Sequence, residues 1–597
     1  MADDKAPAAN AAGEPSLRAT LHRILKASNA LSHELGTRPA FLDDSLVDMS
    51  SVAKSFAAFA ARQMSQPRRW MLAPLALTRA ATRLSTGTLK AALGREPLDV
   101  AQPHAGDRRF RDPAWNDNLY FNIIKQCYLL MARWVMAQSS DVQGLRPHQR
   151  RQVDFYLRQY VDALAPTNFA PTNPSVIRAA LDTGGRNLLE GLANMLEDLA
   201  RGRGRLHVRM TDQDAFQVGE NVANTPGKVV YQNELMQLIQ YSPTTEQVHQ
   251  RPLLVIPPWI NKYYILDLGE EKSFVRFWVD NGFTVFMISW VNPDEDLACK
   301  SFDDYMLEGP LEAMDAIERA TGERELNVIG YCIGGTLLSA TLAYMAAQDD
   351  RRVRSATFFV SLIDFTDVGD ISAFIDEEML ESIDDAMNRT GYLDGSQMAT
   401  AFNMLRSNDL IWSFFVNNYL LGKKPPTFDL LYWNSDSTRM PAAMHSFYLR
   451  NMYLENRLRE PGGIELAGVP IDVRTIKVPS YFASAVEDHI APWTSVYRGA
   501  RLLGGPARFV LGKSGHIAGI VNPPSADKYG YWTHRGRPQD PQAWLENASY
   551  QEGSWWMDWL RWISRHAGPK VAAREPGGGG LKVIEDAPGS YVKKRTV

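Results

Sequence analysis

An α/β fold on a mostly parallel sheet, preceded by a helical region, is predicted by three observations in this 597-residue chain. From Lys228 onward, short β-rich runs alternate with helical stretches, the order of strand–helix crossovers. Gly330-Tyr331-Cys332-Ile333-Gly334 directly follows the apolar run Leu326-Asn327-Val328-Ile329, so a cysteine flanked by glycines sits where a strand turns sharply into a helix. Two later predicted strands run into loops carrying Asp488 and His516, giving the order nucleophile, acid, histidine. Together these predict the α/β-hydrolase layout with a cap insertion.

Along the chain, residues 1–15 are Ala-rich and expected to be disordered, without the basic and apolar regions of a signal peptide. Residues 16–220 read as a mainly helical domain, with long periodic stretches at Asn118 to Met136 and Pro174 to Arg201. Within it, Leu77, Ala80, Ala81 and Leu84 make an apolar stripe beside Arg79, Arg83 and Lys90. Such a stripe either packs on the protein's own core or attaches to a surface. The basic segment Arg201 to Arg209 lacks interleaved aromatics and reads as an exposed joint, with no nucleic-acid site.

Residues 221–568 form the expected catalytic domain. Val229–Tyr231, Leu235–Gln240, Leu253–Ile256 and Thr284–Ile288 are β-like, with a helix over Glu270 to Asn281. After Ala356–Val360 no strand is expected until Ser480, far more chain than one crossover needs. The aromatic-rich part, about 361–447, is predicted to be a cap, with Phe365, Phe374, Trp412, Phe414, Phe415, Tyr419, Tyr432, Trp433 and Phe447 as candidate channel or core residues. Trp555, Trp556, Trp559, Leu560, Trp562 and Ile563 make a helix face that should dock on the domain, and 569–597, containing Gly577 to Gly580, reads as a flexible tail.

Composition narrows the class. A 45% hydrophobic content can fill a large core, and a formal charge of −4 gives no overall bias toward polyanions. Three cysteines without a CxxC pair argue against a disulfide scaffold or zinc site and fit a reducing compartment. No transmembrane segment is expected, since Ile333 to Ala347 is short and interrupted by Thr, Ser and Tyr. No cofactor and no metal are implied.

The candidate catalytic residues are Cys332, Asp488 and His516. The helix after the elbow aims its N-terminus at the sulfur, which favours thiolate and oxyanion. Each residue also has a plainer reading: a structural cysteine in a Gly-rich turn, a turn-capping aspartate, a loop histidine. His489 is the rival base, but it points to the other side of an extended backbone from Asp488. Cys127 reads as a packing residue in an apolar helix and Cys299 as an incidental thiol. For an oxyanion hole, the elbow assigns the backbone N–H of Ile333, and the loop after Leu253–Ile256 should supply a second from Trp259 or Ile260, since proline has none.

These residues resemble those of the polyhydroxyalkanoate synthases. Gly-Tyr-Cys-Ile-Gly-Gly-Thr (330–336) is similar to that family's lipase-like box. Further similarity lies in Asp107–Trp115, Pro257–Leu268, Val486–Trp493, Gly515–Gly519 and Gly553–Trp556, with Met557 departing from the family's common Pro. The resemblance implies a class I-like synthase, an acyltransferase that polymerises (R)-3-hydroxyacyl-CoA, with 3-hydroxybutyryl-CoA favoured by Tyr331 and Ile333. It also implies a homodimer in the cytoplasm on the surface of polyester granules, with the growing chain and granule-associated proteins as partners. A sulfur nucleophile suits this chemistry, because exchange of one thioester for another keeps the acyl group activated for transfer to a hydroxyl. The alternatives are a thioesterase or polyester depolymerase using the same residues with water, and a non-catalytic granule-coat protein.

Overall fold

The computed structural model describes residues 16–37, 49–95, 97–104, 106–140, 142 and 144–595. The expected disorder of residues 1–15 lies outside the described residues. The first helices are α1 (Leu17–Thr37), α2 (Met49–Met64), α3 (Pro67–Ala92), α4 (Leu119–Ser140), α5 (Pro147–Ala163), α6 (Pro174–Asp182) and α7 (Arg186–Arg201). The periodic stretch expected over Pro174 to Arg201 is interrupted at Thr183–Gly185, where Gly184 and Gly185 take φ values of 61° and 83° and turn the chain.

The helical region holds together through polar seams as well as apolar ones. Arg23 of α1 bonds Glu190, Asn194 and Glu197 of α7 at 2.7 to 2.9 Å. Leu77, Ala80 and Leu84 of α3 are half-buried in a helix that packs on α4, whereas Ala81 is exposed. Cys127 is exposed, contrary to its reading as packing. At that point α4 buries a polar face instead, where Gln126 accepts the N–H groups of Val100 and Ala101 at 3.0 and 2.6 Å. The basic joint is only partly free: Arg209 pairs with Glu197 at 3.0 Å and with Asp198.

Apart from two short two-stranded ladders in the insertion, Tyr392–Leu393 with Met440–Pro441 and Glu465–Leu466 with Val469–Pro470, where no strand was expected, the strands are β1 (Gly227–Gln232), β2 (Met236–Tyr241), β3 (Gln247–His249), β4 (Leu253–Ile256), β5 (Val285–Trp290), β6 (Leu326–Tyr331), β7 (Val353–Phe359), β8 (Ser480–Ala485), β9 (Ala507–Gly512), β10 (Tyr531–Thr533), β11 (Ser549–Gln551), β12 (Lys570–Ala572) and β13 (Glu585–Asp586). Eleven of them form one sheet in the order β11-β10-β9-β8-β7-β6-β4-β5-β2-β1-β13. Its centre, β5-β4-β6-β7-β8-β9, is parallel. These strands are buried almost throughout, which explains why β4, β6 and β8 read as continuous runs of small and apolar residues.

Helices α8 (Phe274–Asp280), α9 (Ile333–Ala347), α10 (Trp493–Leu502) and α11 (Trp556–Ile563) accompany the sheet. The tryptophan-rich face of α11 docks as its amphipathicity predicts. Trp556 stacks on Phe274 at 3.8 Å, and Trp555, Trp556 and Trp559 are fully buried. Each such ring pair adds about 0.5–1.5 kcal/mol to the burial itself.

Two expected boundaries move. The insertion does not end near 447: between β7 and β8 the chain stays outside the sheet to residue 479, through helices and three π-helical segments, Asn408–Trp412, Val416–Leu420 and Leu449–Leu454. Nor is 569–595 a flexible tail. β12 pairs with β3, β13 pairs with β1, and Val592 is buried. The glycine run marks close approach rather than freedom, since a Cβ on Gly579 would lie 1.8 Å from the Ala320 carbonyl oxygen. Arg595 then reaches Asp436 at 3.6 Å and lies over the Tyr432 ring.

The helical region grips the insertion. Asn187 and Asn194 donate to the carbonyl oxygens of Leu420 and Asn418, and Gln159 donates to that of Met404. Helices, insertion and sheet edge thus meet above the C-terminal ends of the parallel strands, where β6 delivers Cys332.

Candidate active site

Cys332 has φ 53° and ψ −123°, outside the regions ordinary residues favour, and it is the residue before α9. The flanking glycines make this turn possible. A Cβ on Gly334 would stand 2.2 Å from the Ile256 carbonyl oxygen, and one on Gly330 would stand 2.4 Å from the Gly335 Cα. The turn is anchored to the sheet by the Cys332 N–H, which donates to the Phe359 carbonyl at 2.8 Å. The sulfur-bearing residue is half-buried at the N-terminus of a 15-residue helix, whose field favours negative charge.

Asp488 and His516 come from the loops after β8 and β9, neighbouring parallel strands in register from Ser480↔Ala507 to Ala485↔Gly512. That register brings the two loops side by side. The His516 Nδ1 lies 2.7 Å from Asp488 Oδ2, while Asp488 Oδ1 accepts the N–H groups of Ile490 and Ala491 at 2.8 and 2.9 Å. The carboxylate is therefore fixed on both oxygens. Tyr331 lays its ring against the imidazole, 6.0 Å between centroids and 21° from parallel.

The imidazole also interacts with Cys332. Burial alone would lower the His516 pKa. The charges of Asp488 and Cys332, with the hydrogen bonds to both, overcome that effect and push it up to about 10. At neutral pH the His516 ring is therefore held as the imidazolium, next to both the Asp488 carboxyl and the Cys332 sulfur.

His489 behaves oppositely. Burial, ahead of its charged neighbours, lowers it to about 4, so it is neutral at pH 7, and its Nδ1 has no hydrogen-bond partner among the described residues. It lines the same cavity as Cys332 but is not joined to the Asp488 carboxylate by a hydrogen bond. The structure brings Cys332, Asp488 and His516 together and leaves His489 to one side.

Of the oxyanion candidates, the Ile333 N–H lies in the first turn of α9, where no intrahelical acceptor exists. Ile260 lines the cavity with Cys332, whereas Trp259 is buried behind it against Trp290 and Tyr305. The Trp259 and Ile260 carbonyls are both held by Thr438, through its hydroxyl and its N–H respectively, so the insertion braces this loop.

A cavity of about 1790 Å³ opens over the thiol, walled by the β-strand loops, the insertion and the segment from Gln102 to Trp115. Among the aromatics expected to line a channel, Trp412 and Trp433 do so. Phe374 packs on Phe155, and Phe447 packs on Phe302. Two residues were not anticipated: Tyr448, buried, and Tyr453, half-buried, lie in the insertion close enough to Cys332 for it to help raise their pKa values, after the larger effect of desolvation. No sequence signal marks them, because their placement depends on the π-helical turn at Leu449–Leu454.

The fold and its elbow define an enzyme of the α/β-hydrolase fold, and residues 263–523 match the model of that fold. Residues 106–278 match the model described as the poly-beta-hydroxybutyrate polymerase (PhaC) N-terminus. The chain is 49% identical over 547 residues to the poly(3-hydroxyalkanoate) polymerase subunit PhaC of Rhizobium meliloti, covering 92% of this chain and 89% of that one. It is 47% identical over 552 residues to the poly(3-hydroxyalkanoate) polymerase of Methylorubrum extorquens, covering 92% and 91%. Identity to the PhaC subunit of Cupriavidus necator is 43% over 495 residues, covering 82% and 83%. The chain belongs to the poly(3-hydroxyalkanoate) polymerase family and is an acyltransferase. Among the described residues, no helix is long and apolar enough to cross a membrane.

Proposed function

We propose that this chain polymerises (R)-3-hydroxyacyl-CoA, 3-hydroxybutyryl-CoA above all, into a polyester with release of CoA. The observation that carries the reading is His516 held by Asp488 at 2.7 Å beside a cysteine on a strained elbow. The Cys332 thiolate attacks the thioester carbonyl, and the oxyanion is met by the Ile333 N–H with Ile260 or Trp259 as the second donor. CoA leaves as its thiol, taking the proton from His516. The 3-hydroxyl of a second hydroxyacyl unit then gives its proton to His516 and attacks the Cys332 thioester, forming the ester and releasing the Cys332 thiolate beside the re-protonated imidazole. Asp488 orients the imidazole and stabilises its charge. An insoluble product gives the enzyme a granule surface to work on, and the family resemblance implies a homodimer in the cytoplasm.

Incubating purified protein with 3-hydroxybutyryl-CoA tests this directly. Insoluble polymer with free CoA is expected. Soluble 3-hydroxybutyrate with free CoA would instead make it a hydrolase, and no turnover would leave a coat protein.

A further inference from the structure

The cavity above Cys332 has a second chemical character where the segment from Gln102 to Trp115 and α4 line it. A short 3-10 turn, Arg108–Phe110, begins at Asp107, whose carboxylate accepts the Arg109 N–H. Phe110 is buried against Trp115 and Tyr128, and Arg109 bonds Asp107, Asp162, Tyr128 and Asn408 at 2.9 to 3.1 Å. These two residues anchor the turn. Arg108 and Arg111, on either side of them, are exposed and line the cavity, as does Arg133 of α4.

The charge on this wall is unbalanced. Its carboxylates are already engaged: Asp107 and Asp162 with Arg109, Asp112 with Arg178 and the Ser175 hydroxyl, Asp409 with Arg406. Arg108, Arg111 and Arg133 have no carboxylate partner among the described residues, and Arg133 bonds only the Gln102 carbonyl oxygen. At the nucleophile's end the lining residue Glu487 supplies negative charge instead. Planar, multiply donating guanidiniums suit phosphate oxygens.

We propose that Arg108, Arg111 and Arg133 form a subsite for the phosphate groups of the thioester substrate, receiving the phosphorylated nucleotide end of coenzyme A while its sulfur end reaches Cys332. This rests on the reading above that the substrate is a CoA thioester. The helical region then takes part in substrate binding through the wall it contributes to the cavity.

The test compares 3-hydroxybutyryl-CoA with 3-hydroxybutyryl-pantetheine, which carries no phosphate, on the intact chain and on R108A/R111A/R133A. Intact protein should prefer the CoA thioester at least tenfold in kcat/KM, chiefly through KM, with the preference shrinking as salt is raised. The triple variant should lose that preference, and R108K/R111K/R133K should regain part of it. A preference unchanged by the triple substitution would overturn the subsite. So would an intact protein that uses both thioesters equally, a measurement that needs no variant to fold. Should neither thioester be turned over, the polymerase reading fails. The subsite then stands or falls on calorimetric binding of CoA itself, which should weaken at least tenfold in the triple variant.

Discussion

The imidazole of His516 stands 2.7 Å from the carboxylate of Asp488, on loops that leave two adjacent, in-register parallel strands. The strand pair fixes that distance before any substrate arrives. Cys332 interacts with the same ring, so the three side chains form one connected unit rather than three independent groups.

Cys332→Ala is expected to form no acyl-enzyme and to lower turnover by about 10⁴-fold or more. The other cysteines, Cys127 and Cys299, are exposed and do not line the cavity. Mass spectrometry of protein mixed with 3-hydroxybutyryl-CoA checks this: an adduct on wild type alone is the expected result, and full activity in the variant would defeat the assignment.

Asp488→Asn separates two roles. If the carboxylate chiefly holds and charges His516, both the initial burst of CoA and the steady state fall together. If it chiefly serves the hydroxyl acceptor, a burst of CoA persists before slow elongation. The hydrogen bond from His516 makes the first outcome the expected one, and rapid-quench measurement of CoA distinguishes them.

The raised pKa of His516 also predicts a pH dependence of stability. Folded His516 holds its proton up to about 10, against about 6.5 when unfolded. Between those values the folded state binds more protons, so stability falls as pH rises through this window and is fully present below about 6.5. Thermal melts from pH 6 to 10 should show the decline, and Asp488→Asn should flatten it.

Gly334→Ala places a methyl group 2.2 Å from the Ile256 carbonyl oxygen, where only backbone can yield. A loss of about 1–3 kcal/mol in stability is expected, with turnover reduced further because the elbow and the Ile256–Ile260 loop move together. Chemical denaturation alongside the CoA-release assay would show both.

Removing residues 570–597 should lower the melting temperature and not merely trim a tail. The cut removes the β12–β3 and β13–β1 pairings, the buried Val592, and the Arg595 contact with Asp436. A truncated chain melting within a degree of the full chain would contradict this.

What the sequence disclosed follows from which forces are local. The elbow was legible because its glycines answer a steric demand set by their immediate neighbours. The Asp488 and His516 loops were legible because each follows a buried strand. The 569–597 segment was misread because its partners, β1, β3 and the Arg319–Ala320 backbone, lie hundreds of residues away, and a glycine run looks the same whether loose or closely packed. Cys127 was misread because apolar periodicity suggested burial where α4 buries Gln126 and Asn122. Tyr448 and Tyr453 stayed hidden because a π-helical turn alters the side-chain spacing on which periodicity arguments depend.

The pairing of Cys332 with a charged imidazole has a cost in durability. A sulfur presented to the cavity for attack on substrate is open to peroxide by the same route, since oxidant and thioester meet the same nucleophile. No second cysteine lines its cavity among the described residues, so a sulfenic acid formed there has no neighbouring thiol to convert it into a reversible disulfide. Oxidation would proceed toward sulfinic acid and permanent inactivation, which makes reducing conditions during purification and storage a requirement of this site's architecture.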